Sequence, residues 1–159
     1  MGGPVQQQAG GAKGKGGRKD WVLVHRMQSG SAPLLQVEVH PSLRLALSLS
    51  SAGRVVIWDL VGGRLLHKFS PSTTVRSLAL SPSGERYLLA SDFSVSIFGT
   101  RSLEREAEGG WQRHVQGARF VDEDTVAVLF ADRHVIFLSR QEGEEEGEAR
   151  WVSSTLLSI

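Results

Sequence analysis

The chain has 159 residues, 40% of them hydrophobic and 22% charged, enough for one domain with a core of ordinary globular composition. Its net charge of +1 gives no overall field to draw nucleic acid or membrane, and the absence of cysteine excludes a disulfide framework and thiolate metal sites. No apolar run approaches the roughly 20 residues that a membrane-spanning helix needs.

In chain order, the first segment, residues 1–19, is Gly, Gln and Lys without apolar periodicity and is expected to be a disordered basic tail. Lys13, Lys15, Arg18 and Lys19 against Asp20 give this end a net charge of +3, leaving −2 for the remainder. The tail lacks the apolar core of a secretory signal. Gln6 stands where a myristoylation signal needs Ser or Thr. The stretch "GGAKGKGG" is no phosphate loop, because Ala9 stands where the first Gly belongs and Gly16 where Ser or Thr belongs. The basic residues suit a solvated terminus or weak contact with RNA phosphates.

From residue 20 short apolar runs alternate with turn signals, the texture of an all-β fold. "DWVLVHRMQ" (20–28) reads as an outer strand with no inner strands ahead of it. "VEVHPSLRLALSLS" then begins at Val37, and "LALSPSGERYLLAS" begins 41 residues later at Leu78. A weaker copy, "ARFVDEDTVAVLF", begins at Ala118. A third strand follows each copy at 54–60, 94–100 and 134–140, and a more polar fourth at 64–69, 102–107 and 149–154.

Four strands per period of about 40 residues is the signature of a WD-repeat β-propeller blade. The expected fold is therefore all-β, an incomplete WD-repeat propeller. It has about three four-stranded blades, near 34–70, 75–107 and 115–155, plus one outer strand of a preceding blade. A Glu-rich loop at 141–148 lengthens the last blade. Trp58 and Asp59 carry the repeat signature, and Pro41, Pro82 and Gly84 the turns. Trp58 is expected to pack between blades with its ring N–H bonded, and Phe98 and Phe137 to hold or adjoin the matching position as core residues. Such a sector, left alone, would expose two apolar blade faces.

Catalytic machinery is not legible. His25, His40, His67, His114 and His134 lie on separate strands or turns without ligand spacing, so neither a metal nor any cofactor is expected. Loops should instead gather at the two ends of the blades and present a contact surface. The candidates are Arg44, Arg54, Glu85, Arg86, Asp92, Arg113, Asp122, Glu123, Asp124 and Arg133.

Between residues 20 and 140 the chain resembles the middle blades of the p21-activated-kinase-interacting protein family. The matching stretches are "HPSLRLALS" (40–48), "WDLVGGR" (58–64), "LSPSGERYLL" (80–89) and "FVDEDTVAV" (120–128), with the tryptophan of "KDW" (19–21) in the preceding outer strand. The Gly-His pair of many WD repeats is absent, with Ser29-Gly30 in its place, and Ala52 replaces the turn Asp. Of the side-chain network that staples many blades, at most Trp58 with Ser48 or Ser50 is left. The resemblance implies a non-catalytic scaffold of large-ribosomal-subunit assembly in the nucleus and nucleolus, and restraint of a p21-activated kinase. Its partners would be ribosomal proteins and assembly factors. The alternatives are another protein-interaction adaptor, such as a ubiquitin-ligase substrate receptor, or a fragment without a function of its own.

Overall fold

The computed structural model describes residues 22–40, 42–142 and 149–158. The tail 1–19, Trp21, Pro41 and the acidic stretch 143–148 lie outside them. The described residues form twelve strands. The first sheet holds β1 (Leu34–His40), β2 (Leu45–Ser50), β3 (Val55–Asp59) and β4 (Arg64–Phe69). The second holds β5 (Val75–Leu80), β6 (Arg86–Ser91), β7 (Ser94–Gly99) and β8 (Arg105–Gly110). The third holds β9 (Val115–Phe120), β10 (Thr125–Phe130), β11 (His134–Glu142) and β12 (Ala149–Ser158). In each sheet the strands pair antiparallel in sequence order, the architecture of a propeller blade.

The residue pattern explains the layering. β2 and β3 read LALSLS and VVIWD, near-continuous apolar runs that suit strands covered on both faces. β4 reads RLLHKF and lies exposed at the rim, as a charged outer edge should. Leu47, Leu49, Val55 and Ile57 of the first sheet pack on Val75, Leu78, Tyr87 and Leu89 of the second. The other face of the second sheet, with Leu88, Ala90, Val95 and Ile97, packs on Val126, Val128, Phe130 and Ile136 of the third. Two interblade cores thus hold three blades in an arc.

The outer faces differ. On the first sheet Ala46, Val56 and Trp58 are buried under Met27 and Leu60, while Val37 and Val39 on the innermost strand remain 51% and 54% exposed. On the third sheet Ala127, Leu129 and Val135 border an open groove of about 580 Å³.

Three expectations need correction. Residues 22–28 form no strand. The segment instead lies against the first sheet, with Met27 on the Trp58 cluster and His25 Nε2 3.1 Å from the Val61 carbonyl. The outer strand of the second blade starts at Arg105, three residues beyond the expected 102. A wide turn takes up the difference: Leu103 sits at φ 60, and Gly99 N–H donates to the Glu104 carbonyl at 3.0 Å. In the third blade Leu138, paired with Val126 and 7% exposed, faces the core where Phe98 does in the second, and the half-buried Phe137 beside it pairs with Ala127 on the opposite face.

Candidate interaction surfaces

Trp58 is a structural residue, but it lies on the outer face of the first sheet under Met27 and Leu60, not between two of the described blades as expected. Its ring N–H donates to the Ser48 hydroxyl at 2.8 Å, both groups being buried. This is what survives of the blade-stapling network. Asp59 closes the next turn. Its Oδ1 accepts the N–H groups of Val61 and Gly62 at 2.9 and 3.1 Å, and Oδ2 accepts Arg64 Nε at 3.2 Å. The Gly62 N–H, helped by Val61 and Arg64, holds this carboxyl below the ordinary carboxylate range. The Trp-Asp pair is therefore spent on the blade.

The turn residues Pro82 and Gly84 sit at the junction of the first two blades. His40 Nε2–H donates to the Pro82 carbonyl at 2.6 Å, a tautomer consistent with His40 Nδ1 accepting Leu43 N–H at 3.2 Å. Gly84 has φ 74, and a Cβ there would stand 2.6 Å from Leu43 Cδ1 and 2.8 Å from the His40 ring. Only glycine fits both the backbone angle and the close approach.

The innermost strands β1, β5 and β9 run side by side in one direction. Gln36 and Arg119 both reach the Leu78 carbonyl, each at 2.7 Å, from opposite neighbouring blades. All β1–β2-type loops therefore gather at one end of the arc, and all β2–β3-type loops at the other.

The β1–β2 end carries Arg44, Glu85, Arg86, Asp122, Glu123 and Asp124. Arg86 is only 13% exposed at its side chain, bonds Glu106 at 2.8 Å and reaches the Glu123 carbonyl at 3.5 Å, so it fastens blades rather than offering a contact. Glu123 grips Ser83 through its N–H and, at 2.8 Å, its hydroxyl. Asp124 lies 3.6 Å from Arg140. Arg44, at φ 51, and Glu85 are exposed and have no ion pair among the described residues.

The β2–β3 end carries Arg54, Asp92, Arg113 and Arg133. Asp92 accepts Arg76 Nε at 2.7 Å and Nη2 at 3.3 Å and lies 3.4 Å from His114 Nε2; Arg76 above all holds its carboxyl below the usual range. Arg113 pairs with Asp132 at 3.3 Å. Arg54 and Arg133 have no ion pair among the described residues, and Arg133 adopts φ 66 at an exposed hairpin tip.

Sequence reasoning missed Phe93 and His114. The Phe93 ring is 54% exposed and meets the His114 ring edge-on at 5.7 Å. Its signal was present: "SDFS" places a phenyl at a two-residue hairpin tip, where turn chemistry favours Gly or Asn. Among the described residues no group of three or more His, Asp or Glu side chains could hold a metal, and no helix is long and apolar enough to cross a membrane.

No protein-family model matches the chain. It is 28% identical over 123 residues to a p21-activated protein kinase-interacting protein 1-like protein of Xenopus laevis, covering 76% of this chain and 33% of that one. It is 32% identical over 85 residues to the Shk1 kinase-binding protein 15 of Schizosaccharomyces pombe, covering 53% of this chain and 22% of that one. The chain thus spans about a third or less of the length of the curated relatives it matches. Among solved structures, the WD40 repeats of RRP9 superpose with a TM-score of 0.67 at 18% identity, over 83% of this chain and 40% of that one. At that identity the likeness carries the fold: this chain is a sector of a WD-repeat propeller.

Proposed function

We propose that this sector belongs to a non-catalytic WD-repeat scaffold of large-ribosomal-subunit assembly, acting in the nucleus and nucleolus. The observation that carries the reading is the similarity to a p21-activated protein kinase-interacting protein 1-like chain over three quarters of the sequence, on a fold shaped to present loops. The mechanism is rigid display. Two interblade cores fix the blades, and the loop ends offer charged side chains to ribosomal proteins and assembly factors. The blades are read as 34–70, 75–107 and 115–155, with the tail 1–19 as a weak RNA contact. Arg44, Arg54, Glu85 and Arg133 are the loop contacts that remain open. The test is a sucrose gradient of the protein tagged at its own locus. Migration with large-subunit precursors is expected; a light, ribosome-free peak overturns the assembly role.

A second reading has its own support, since both relatives carry kinase-binding names. On it the same surface restrains a p21-activated kinase through the kinase's regulatory region. Pull-down of that isolated region by the purified chain is expected on this reading, and its absence removes it.

A further inference from the structure

The two ends of the arc differ in charge and in chemistry. At the β2–β3 end the pairs Arg76–Asp92 and Arg113–Asp132 cancel, leaving Arg54 and Arg133. At the β1–β2 end the pairs Asp59–Arg64, Arg86–Glu106 and Arg140–Asp124 cancel, leaving Glu85, Glu104, Asp122 and Glu123 against Arg44 and Arg101. One end is therefore basic and the other acidic.

The basic end also holds an apolar anchor. Phe93 is 54% exposed at a hairpin tip whose closure does not depend on a phenyl; Ser91 closes that turn, its hydroxyl accepting Ser94 N–H at 3.2 Å. The residue is held in place from the neighbouring blade: Trp111 N–H donates to the Phe93 carbonyl at 2.9 Å, and Val115 N–H to the Asp92 carbonyl at 2.7 Å. His114 lies against the ring, and its carbonyl accepts Ala131 N–H at 2.9 Å, which brings the Asp132–Arg133 tip alongside. Phe93, His114, Arg113 and Arg133 form one contiguous patch across the seam of the second and third blades.

We propose that this patch docks an acidic peptide segment of a partner protein, with an apolar side chain of the peptide on Phe93 and a carboxylate on Arg133. Charge complementarity with the unpaired Arg133 selects the occupant, and an exposed aromatic held beside an open arginine is the composition of a binding hot spot. A nucleic-acid strand fits less well. Asp92 and Asp132 interrupt the positive path that a continuous phosphate backbone follows. The proposal rests on the scaffold reading above and names the chemistry of its partner.

The test is fluorescence anisotropy of a labelled peptide of repeated Glu-Glu-Leu with the purified full chain, beside a Lys-Lys-Leu peptide and polyuridylate. The acidic peptide binds and weakens as salt rises. Phe93→Ser and Arg133→Glu each weaken it about tenfold, while Arg101→Glu at the opposite end leaves it unchanged. Neither substituted residue belongs to an ion pair or a core among the described residues, and circular dichroism confirms that both variants fold. Equal binding of the Lys-Lys-Leu peptide, parent-like binding by both variants, or binding of polyuridylate instead of the peptide with the same sensitivity each overturns the proposal. Binding is read on the purified chain, so it can fail while ribosomal co-migration persists, and the reverse.

Discussion

Tyr87 is the only tyrosine in the chain, so its ionisation can be followed without a competing signal. It is 1% exposed, stacked on Phe98 at 5.1 Å and 11° and tilted against Phe69 at 6.3 Å, within the core between the first two blades. Burial disfavours the phenolate and pushes the phenol from an ordinary 10.0 up to about 12. The sign follows from proton counts. Between pH 10 and about 12 the unfolded chain has released the proton and the folded chain retains it. Stability from this group is therefore complete below pH 10 and falls as pH rises toward 12. At about 1.4 kcal/mol per unit the loss is at most about 2.7 kcal/mol, and smaller to the extent that the phenol oxygen meets water. The assay is alkaline titration with phenolate absorbance and far-ultraviolet circular dichroism recorded together. Absorbance is expected to rise with the loss of sheet signal, not before it. Tyr87→Phe, a nearly volume-conserving change, should flatten the pH dependence of stability over that window at a cost below about 1.5 kcal/mol near neutrality. A phenol that titrates at its ordinary value while the sheet signal stays native refutes the reasoning.

Ser48→Ala leaves the Trp58 ring N–H buried without its acceptor and should destabilise the chain by about 1–3 kcal/mol; in urea titrations, combination with Trp58→Phe should cost less than the two single changes added. Gly84→Ala meets both a left-handed φ and the Leu43 side chain, whereas Gly53→Ala at φ 70 has open space, so thermal melts should show the larger loss at Gly84. Gln36→Ala removes the acceptor of the Leu78 N–H at 3.1 Å, and hydrogen exchange at that amide should accelerate ahead of its neighbours.

The repeat was legible because each blade buries the same strands. The apolar runs at Leu45–Ser50 and Arg86–Ser91 recur at the same interval as the cores they enter, and sequence alone separates them from the exposed Arg64–Phe69. What was not legible depends on turns and on distant partners. The second outer strand slipped by three residues because Leu103, a non-glycine residue, takes a left-handed conformation that residue type does not announce. Likewise, the β11–β12 pairing changes register between Phe137 and Leu138, and nothing in "HVIFLSR" marks that bulge. Loop placement of Arg86, Asp92 and Arg113 could be read from spacing. Their pairing with Glu106, Arg76 and Asp132 could not, because those partners lie 16 to 20 residues away or across a turn.

The blades do not pair strand to strand, and this explains how a loop surface can be rigid. Innermost strands are sheet edges, and their backbone groups face the axis without a neighbouring ladder. At Leu78 the deficit is met by side chains. Gln36 accepts the Leu78 N–H and donates to its carbonyl, imitating a strand partner, and Arg119 donates to the same carbonyl from the other blade. Arg119 also comes within 3.6 Å of Glu38, so one guanidinium links the third blade to the first across the second. The apolar cores supply most of the adhesion but are non-directional; these polar contacts set the height at which each blade meets the next. The Phe93 hairpin tip and the Arg133 tip belong to different blades, and their alignment into one patch depends on that height being held. A change at Arg119, which ties the third blade to the second at the Leu78 carbonyl, should therefore loosen the patch before it unfolds the arc if the cores stay intact.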